Sequence, residues 1–134
     1  MRFLLDTHIL LWALTNDSKL PEQAREFISD EKNDIFYSTA SVWEVSIKHS
    51  LHSDIMPVSG KNLSDYCVKA GYEMLCIRDD HVYALETLTR EENAPRHNDP
   101  FDRIMIAQAK TEKMVFITHD SLLSYYNEAC VMHV

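Results

Sequence analysis

Three apolar residues, Phe3-Leu4-Leu5, run straight into Asp6-Thr7, and Ile9, Leu10, Leu11, Trp12 and Leu14 follow at once. The unbroken apolar run reads as a buried central strand, and the change to a helical apolar pattern marks the strand-to-helix turn of an α/β unit. In open parallel sheets ligands bind beyond the carboxyl ends of the strands, so Asp6 stands where chemistry is usually done. A lone Asp at such a turn also caps the next helix, so Asp6 alone decides nothing.

The alternation continues down the chain. Residues 8–14 read as a helix, Asn16-Asp17-Ser18 with Leu20-Pro21 as a turn, and residues 21–32 as a second helix with Ala24, Phe27 and Ile28 on one face. Ile35-Phe36-Tyr37 is a second strand. Ser38-Thr39-Ala40-Ser41 opens a helix in which Ala40, Trp43, Ile47 and Leu51 recur at helical spacing, and both Trp12 and Trp43 read as core. A break over residues 54–60, with Pro57 and Gly60, precedes a helix at 61–70 that stops at Gly71. Met74-Leu75-Cys76-Ile77 is a third strand at a sheet edge, and Asp79-Asp80 begins a helix running to Leu88. After a polar loop over residues 89–98, Asp99-Pro100-Phe101-Asp102 opens the most apolar helix, whose segment 104–109 must be covered on nearly every side. Val115-Phe116-Ile117-Thr118 is a fourth strand, His119-Asp120-Ser121 turns into a short helix, and Val131-Met132-His133 is a fifth strand. Strands alternating with helices predict a parallel sheet sandwiched by helices, in one domain spanning residues 1–134.

With 134 residues, 46% of them hydrophobic, the chain can bury a core without covalent staples. Cys67, Cys76 and Cys130 are odd in number, widely spaced and set among apolar residues, which predicts inert core thiols in a reducing cytoplasm. Asp6 and His8 interrupt the apolar N-terminal stretch, so neither a signal peptide nor a membrane span is expected. A net charge of −8 argues against nucleic-acid binding by a general basic surface. It leaves a nuclease open, because acids that hold divalent cations present positive charge where a phosphate docks.

Four carboxylates share one placement, at or near the start of a helix that follows a strand or loop. Asp6 and Asp120 follow apolar strands, Glu44 lies in the first turns after Ser38, and Asp102 lies in the first turn after Asp99-Pro100. Gathered in one cleft they would repel unless cations sat between them, and such an oxygen-rich cluster suits Mg²⁺ or Mn²⁺ and metal-assisted phosphodiester hydrolysis. Each also has a plain alternative. Ser41-x-x-Glu44 fits a capping box, Glu44 and Lys48 form an i,i+4 pair, and Asp99 and Asp120 suit helix caps. Asp79-Asp80, also at a strand-to-helix turn, is assigned to capping alone.

Four blocks together resemble the PIN-domain proteins, most closely the toxin ribonucleases of VapBC-type toxin–antitoxin pairs. They are Leu4-Leu5-Asp6-Thr7-His8-x-Leu10-Leu11-Trp12, Ser41-Val42-Trp43-Glu44-Val45-x-Ile47-Lys48, His97-x-Asp99-Pro100-Phe101-Asp102-Arg103-x-x-Ile106-Ala107-Gln108-Ala109 and Thr118-x-Asp120. The resemblance implies a three-layer α/β/α sandwich with strand order 3-2-1-4-5 and an acidic pocket near the carboxyl ends of strands one and four. It puts Asp6, Glu44, Asp102 and Asp120 on the family's acidic positions, with Asp99 as an extra acid that binds metal or caps the helix. It further implies Mg²⁺, with Mn²⁺ as a substitute, an RNA substrate, a homodimer and a cognate antitoxin. Ser41, Arg103 and Thr118 are candidate substrate contacts, and the polar stretch 89–95 departs from the family pattern by its length.

Two rivals make different demands. A histidine-based ribonuclease, with His8 and His119 beside the acids, would work without metal. A non-catalytic interaction module would use the acids as caps and the apolar helices as partner surface. A phosphoacceptor receiver-like domain is weakened because Asp6 has no second acid beside it.

Overall fold

The computed structural model describes residues 1–134. Five strands, β1 (Arg2–Leu5), β2 (Asp34–Ser38), β3 (Glu73–Leu75), β4 (Val115–Thr118) and β5 (Val131–His133), form one parallel sheet in the order β3-β2-β1-β4-β5. The strand order and the three-layer α/β/α architecture are those implied by the resemblance. β1 is central, pairing Leu4 with Phe36 on one side and Phe116 on the other. A strand covered on both faces has no solvent side, which is why Phe3, Leu4 and Leu5 are all apolar and all fully buried.

Their alternation divides the interior. Phe3 and Leu5 enter a core with Ile9, Leu10, Ala24, Val45, Leu63 and Ile117, beneath α1 (Thr7–Leu14), α2 (Glu22–Ser29) and α4 (Gly60–Lys69). Leu4 points the other way, with Phe116, into a core built on α6 (Pro100–Glu112), beside α5 (Asp79–Ala84). The middle of α6 is buried all round, from Ile104 to Ala109, as its composition demands. Gln108 is tolerated there because its amide is satisfied by Ser38 Oγ at 2.5 Å and the Leu75 carbonyl at 3.3 Å.

α3 (Thr39–Leu51) bridges the layers, contacting both α4 and α6. Gly60 permits the close α3–α4 approach, since a Cβ there would lie 2.9 Å from the Val42 carbonyl oxygen. Gly71 follows α4 at φ +84°, the left-handed position that stops a helix. No helix is long and apolar enough to cross a membrane.

Several expectations need correction. Trp43, Ile47 and Leu51 do not face the core but stand 56%, 39% and 69% exposed on the outer side of α3. The buried side of that helix carries Ala40, Ser41, Glu44 and Val45 instead, a polar-containing stripe that hydrophobic spacing does not detect. Cys67 is a core thiol pushed up to about 12 by burial, but Cys76 is exposed because β3 is an edge strand that ends at Leu75. The second helix is shorter than residues 21–32, because Asp30 caps a turn through its bond to the Lys32 amide. The helix from Asp79 gives way to a 3₁₀ turn at Leu85–Thr87, and the segment after Asp120 is 3₁₀ throughout.

A candidate acidic active site

The parallel sheet delivers its carboxyl-terminal ends to one edge, and four elements place acids there. Asp6 leaves β1 as the cap of α1, with Oδ1 accepting from the Thr7 amide at 2.7 Å and Oδ2 from Thr118 Oγ1 at 2.6 Å. Cap and site are thus one residue. The Thr118 hydroxyl also accepts from the Asp120 amide at 3.1 Å, so the end of β4 fixes the two acids relative to each other. Asp120 in turn caps its 3₁₀ turn through the Leu122 amide at 2.9 Å.

Glu44 projects inward from α3 and is buried. Its Oε1 accepts from Thr7 Oγ1 at 2.8 Å and its Oε2 from Lys48 Nζ at 2.7 Å. The single Thr7 hydroxyl proton goes to Glu44, so the Ser41 hydroxyl, 2.8 Å away, is the donor to Thr7. The i,i+4 pair is therefore present, but the capping box is not, because Ser38 caps α3 and Ser41 lies inside it.

Asp102 sits in the first turn of α6. Asp99 caps that helix, accepting from the amides of Phe101 at 2.9 Å and Asp102 at 3.2 Å, with Pro100 at the first position. Burial pushes the Asp102 carboxyl up to about 8, and the negative charges of Asp6, Asp99, Glu44 and Asp120 push the same way. Asp6 is also raised, first by burial, although its bonds from Thr118 and Thr7 pull it back. Near neutral pH a crowd of this kind holds a proton or attracts cations. Asp6, Asp102 and Asp120 form no ion pair with Lys or Arg, and every non-histidine donor in the set is a hard oxygen, which fits a divalent cation such as Mg²⁺.

Two residues without an assigned role in the sequence complete the arrangement. His97 is buried, with Nε2 3.2 Å from Asp102 Oδ2 and Nδ1 2.8 Å from the Tyr126 hydroxyl. Burial lowers its affinity for a proton, against the opposing pull of Asp120 and Asp99. Arg103 donates from Nη1 to the same Tyr126 hydroxyl at 3.0 Å and forms no ion pair. When Asp102 is ionised the donors align from Arg103 through Tyr126 and His97 to Asp102, orienting the carboxylate. His97 stood in the Asp-Pro-Phe-Asp block as a signal, but Tyr126 lies 24 residues beyond Asp102 and only folding brings it near.

Among the candidate substrate contacts, Ser41 and Thr118 are fully buried and their hydroxyls hold Thr7 and Asp6. Arg103 is half-buried on Tyr126. A recess of about 280 Å³ opens beside the acids, lined by Asp6, His8, Trp12, His119 and Asp120. The Asp79-Asp80 pair lies elsewhere. Arg78 rather than either Asp is the cap of α5, and Asp80 serves as its ion-pair partner at 3.0 Å.

No curated protein matches this chain. Its fold is similar to that of a solved structure described as VapBC2 from Rickettsia felis bound to a DNA fragment from their promoter. The TM-score is 0.68 with 12% identity over 99% of this chain and 98% of that one, a likeness of fold. A family model for the PIN domain matches residues 3–128, nearly the whole sequence and all four acidic blocks, so the chain belongs to the PIN-domain family.

Proposed function

We propose that this protein, as a single PIN-like domain over residues 1–134, is a divalent-metal-dependent endoribonuclease and the toxin of a VapBC-type pair. The observation that carries the reading is the convergence of acids at one sheet edge, where ligand atoms of His97, Asp102 and Asp120 lie within 4.8 Å of one another and the negative charges of Asp6, Asp99, Glu44 and Asp120 bear on the buried Asp102. A helix-capping acid has no need of such company. The family membership and the shared fold with a VapBC2 structure support the same reading.

Asp6 and Asp102 would be the principal groups to hold Mg²⁺ or Mn²⁺, and Glu44 and Asp120 would help hold metal or orient the attacking water. Asp99 caps α6 and adds negative charge at the pocket. A divalent cation held by these acids would supply positive charge against the phosphate and lower the pKa of the attacking water. Ser41 and Thr118 act on Thr7 and Asp6. Arg103, with no carboxylate partner, is available to a substrate phosphate. The water, rather than the RNA 2′-hydroxyl, is the nucleophile, so the products carry 5′-phosphate and 3′-hydroxyl ends. End-labelling of the cleaved RNA tests this. Products ending in 2′,3′-cyclic phosphate, or full activity in excess EDTA, would move the reading to the histidine-based rival.

The partner surface we assign to the exposed Trp43, Ile47 and Leu51 on α3, with Ile55 beyond it at 75% exposure. Apolar side chains clustered on one helix face mark a contact surface, here for a second copy of the chain and for the antitoxin. The protein is placed in the cytoplasm with its RNA substrate. A monodisperse monomer at micromolar concentration, unchanged by the product of the neighbouring gene, would contradict the assembly.

A further inference from the structure

Beside the acidic cluster stands a group of aromatic rings that phosphodiester hydrolysis leaves unexplained. Trp12, half-buried at the edge of the core, lies 5.9 Å from the His8 ring and 5.8 Å from the His119 ring, the latter edge-on at 68°. His119 continues onto His133 at 5.7 Å with the rings 18° from parallel. His8, His119 and His133 are all exposed.

Two of these rings are anchored through the backbone. His119 Nδ1 donates to the Val134 main-chain oxygen at 2.5 Å, and His133 Nε2 donates to the His119 carbonyl at 3.2 Å. Both acceptors are main-chain oxygens, so these bonds set the two tautomers and hold the rings in position. His8, Trp12 and His119 line the 280 Å³ recess whose remaining wall is Asp6 and Asp120, and no lysine or arginine lines it. A recess with aromatic walls, acidic on one side and without cations, does not recruit an anion by charge. It suits a flat heteroaromatic ring carrying N–H donors.

We propose that this recess is a base-stacking subsite for single-stranded RNA, receiving an unpaired nucleotide adjacent to the scissile phosphate. The inference rests on the nuclease reading and deepens it. A chain of net charge −8 gains little from counterion release on its surface, so stacking on Trp12 and His119 supplies affinity that charge does not. Only an unstacked base has a free face, so the subsite selects loops and single strands over duplex.

His119→Leu is the variant of choice, because the ring is exposed and its removal leaves the core packing of Trp12 in place. Two readouts are needed: fluorescence anisotropy of a labelled single-stranded RNA ten-mer in EDTA, and steady-state cleavage in Mg²⁺. His119→Leu is expected to raise Kd and KM by about 5- to 150-fold, the span of stacking one base on one aromatic ring, while kcat falls far less. His119→Phe, which keeps a ring, restores binding. In the wild type, an abasic ribose stepped along the RNA weakens cleavage sharply at one position, and His119→Leu abolishes that sensitivity. Unchanged Kd and KM in His119→Leu, a flat abasic scan, or His119→Phe as weak as His119→Leu would each overturn the subsite while the nuclease stands. If the wild type cuts no RNA, the nuclease reading fails, and the EDTA titration then judges the recess: binding lost in His119→Leu upholds it, binding unaffected overturns it.

Discussion

Two clusters in this molecule share one set of donor groups, a histidine and two carboxylates, and have opposite electrostatics. His97, Asp102 and Asp120 bring three ligand atoms within 4.8 Å of one another, and so do Asp80, His81 and Glu112. In the second cluster Arg78 donates to both carboxylates, and His81, fully buried, meets Glu112 at 2.9 Å. Bonds from Arg78 hold the Asp80 carboxyl below its usual range, and bonds from His81 and then Arg78 do the same for Glu112. In the first cluster no guanidinium reaches a carboxylate, Arg103 stopping at the Tyr126 hydroxyl, and Asp102 rises to about 8. Two carboxylates and a histidine are therefore not a metal site by composition. What separates the pair is whether the fold supplies its own counter-charge, and only the first is left to take one from solution.

The largest expected effect falls on activity. Asp102→Asn should reduce RNA cleavage by roughly 10²- to 10³-fold, as the loss of several kcal/mol of transition-state stabilisation requires, while the metal-free protein melts no lower than wild type. Glu112→Leu should leave cleavage intact, and measuring both variants on one RNA sharpens the contrast. Next comes His97→Leu, which releases the orientation of Asp102 and should weaken Mn²⁺ binding about 10- to 100-fold in a titration. Smaller again is the stability cost of Glu112→Leu, about 1–3 kcal/mol by denaturant unfolding, because the buried His81 ring loses its acceptor.

A further effect is one of pH, comparable in size to the Glu112→Leu cost, and it runs in opposite directions at the two clusters. The folded Asp102 carboxyl lies above its unfolded value of 3.8, so the folded state binds the extra proton, and this contribution is lost as pH rises through about 8. Metal-free wild type should therefore melt higher at pH 6 than at pH 8, a gain absent in Asp102→Asn. Asp80 and Glu112 lie below their unfolded values, so their contribution is present above those values and disappears as pH falls through the folded ones. Melts below pH 4 should show that loss.

Much of this was legible in the residues. The run Phe3-Leu4-Leu5 marks a central strand because only a strand covered on both faces has no use for alternation, and Asp99-Pro100 marks the start of α6 through cap chemistry. Four acids were placed by local turn signals, and the fold brings them to one sheet edge. Periodicity failed on α3, where it followed Trp43, Ile47 and Leu51 to the outside, because an apolar face looks alike whether it meets the core or a partner. The difference between the two clusters was beyond reading as well. Arg78 meets Glu112 across 34 residues and Tyr126 reaches His97 across 29, and such pairings exist only once the chain has folded.

Counting bound Mn²⁺ by electron paramagnetic resonance on the wild type, Asp102→Asn and Glu112→Leu separates the two clusters in one experiment. A metal site at Asp102 requires binding by the wild type and by Glu112→Leu, with a stabilisation of about 2.7 kcal/mol at one hundred times Kd, and none by Asp102→Asn under the same conditions. Binding that survives Asp102→Asn and disappears in Glu112→Leu would contradict it, and would move the metal to the cluster that already carries its own counter-charge.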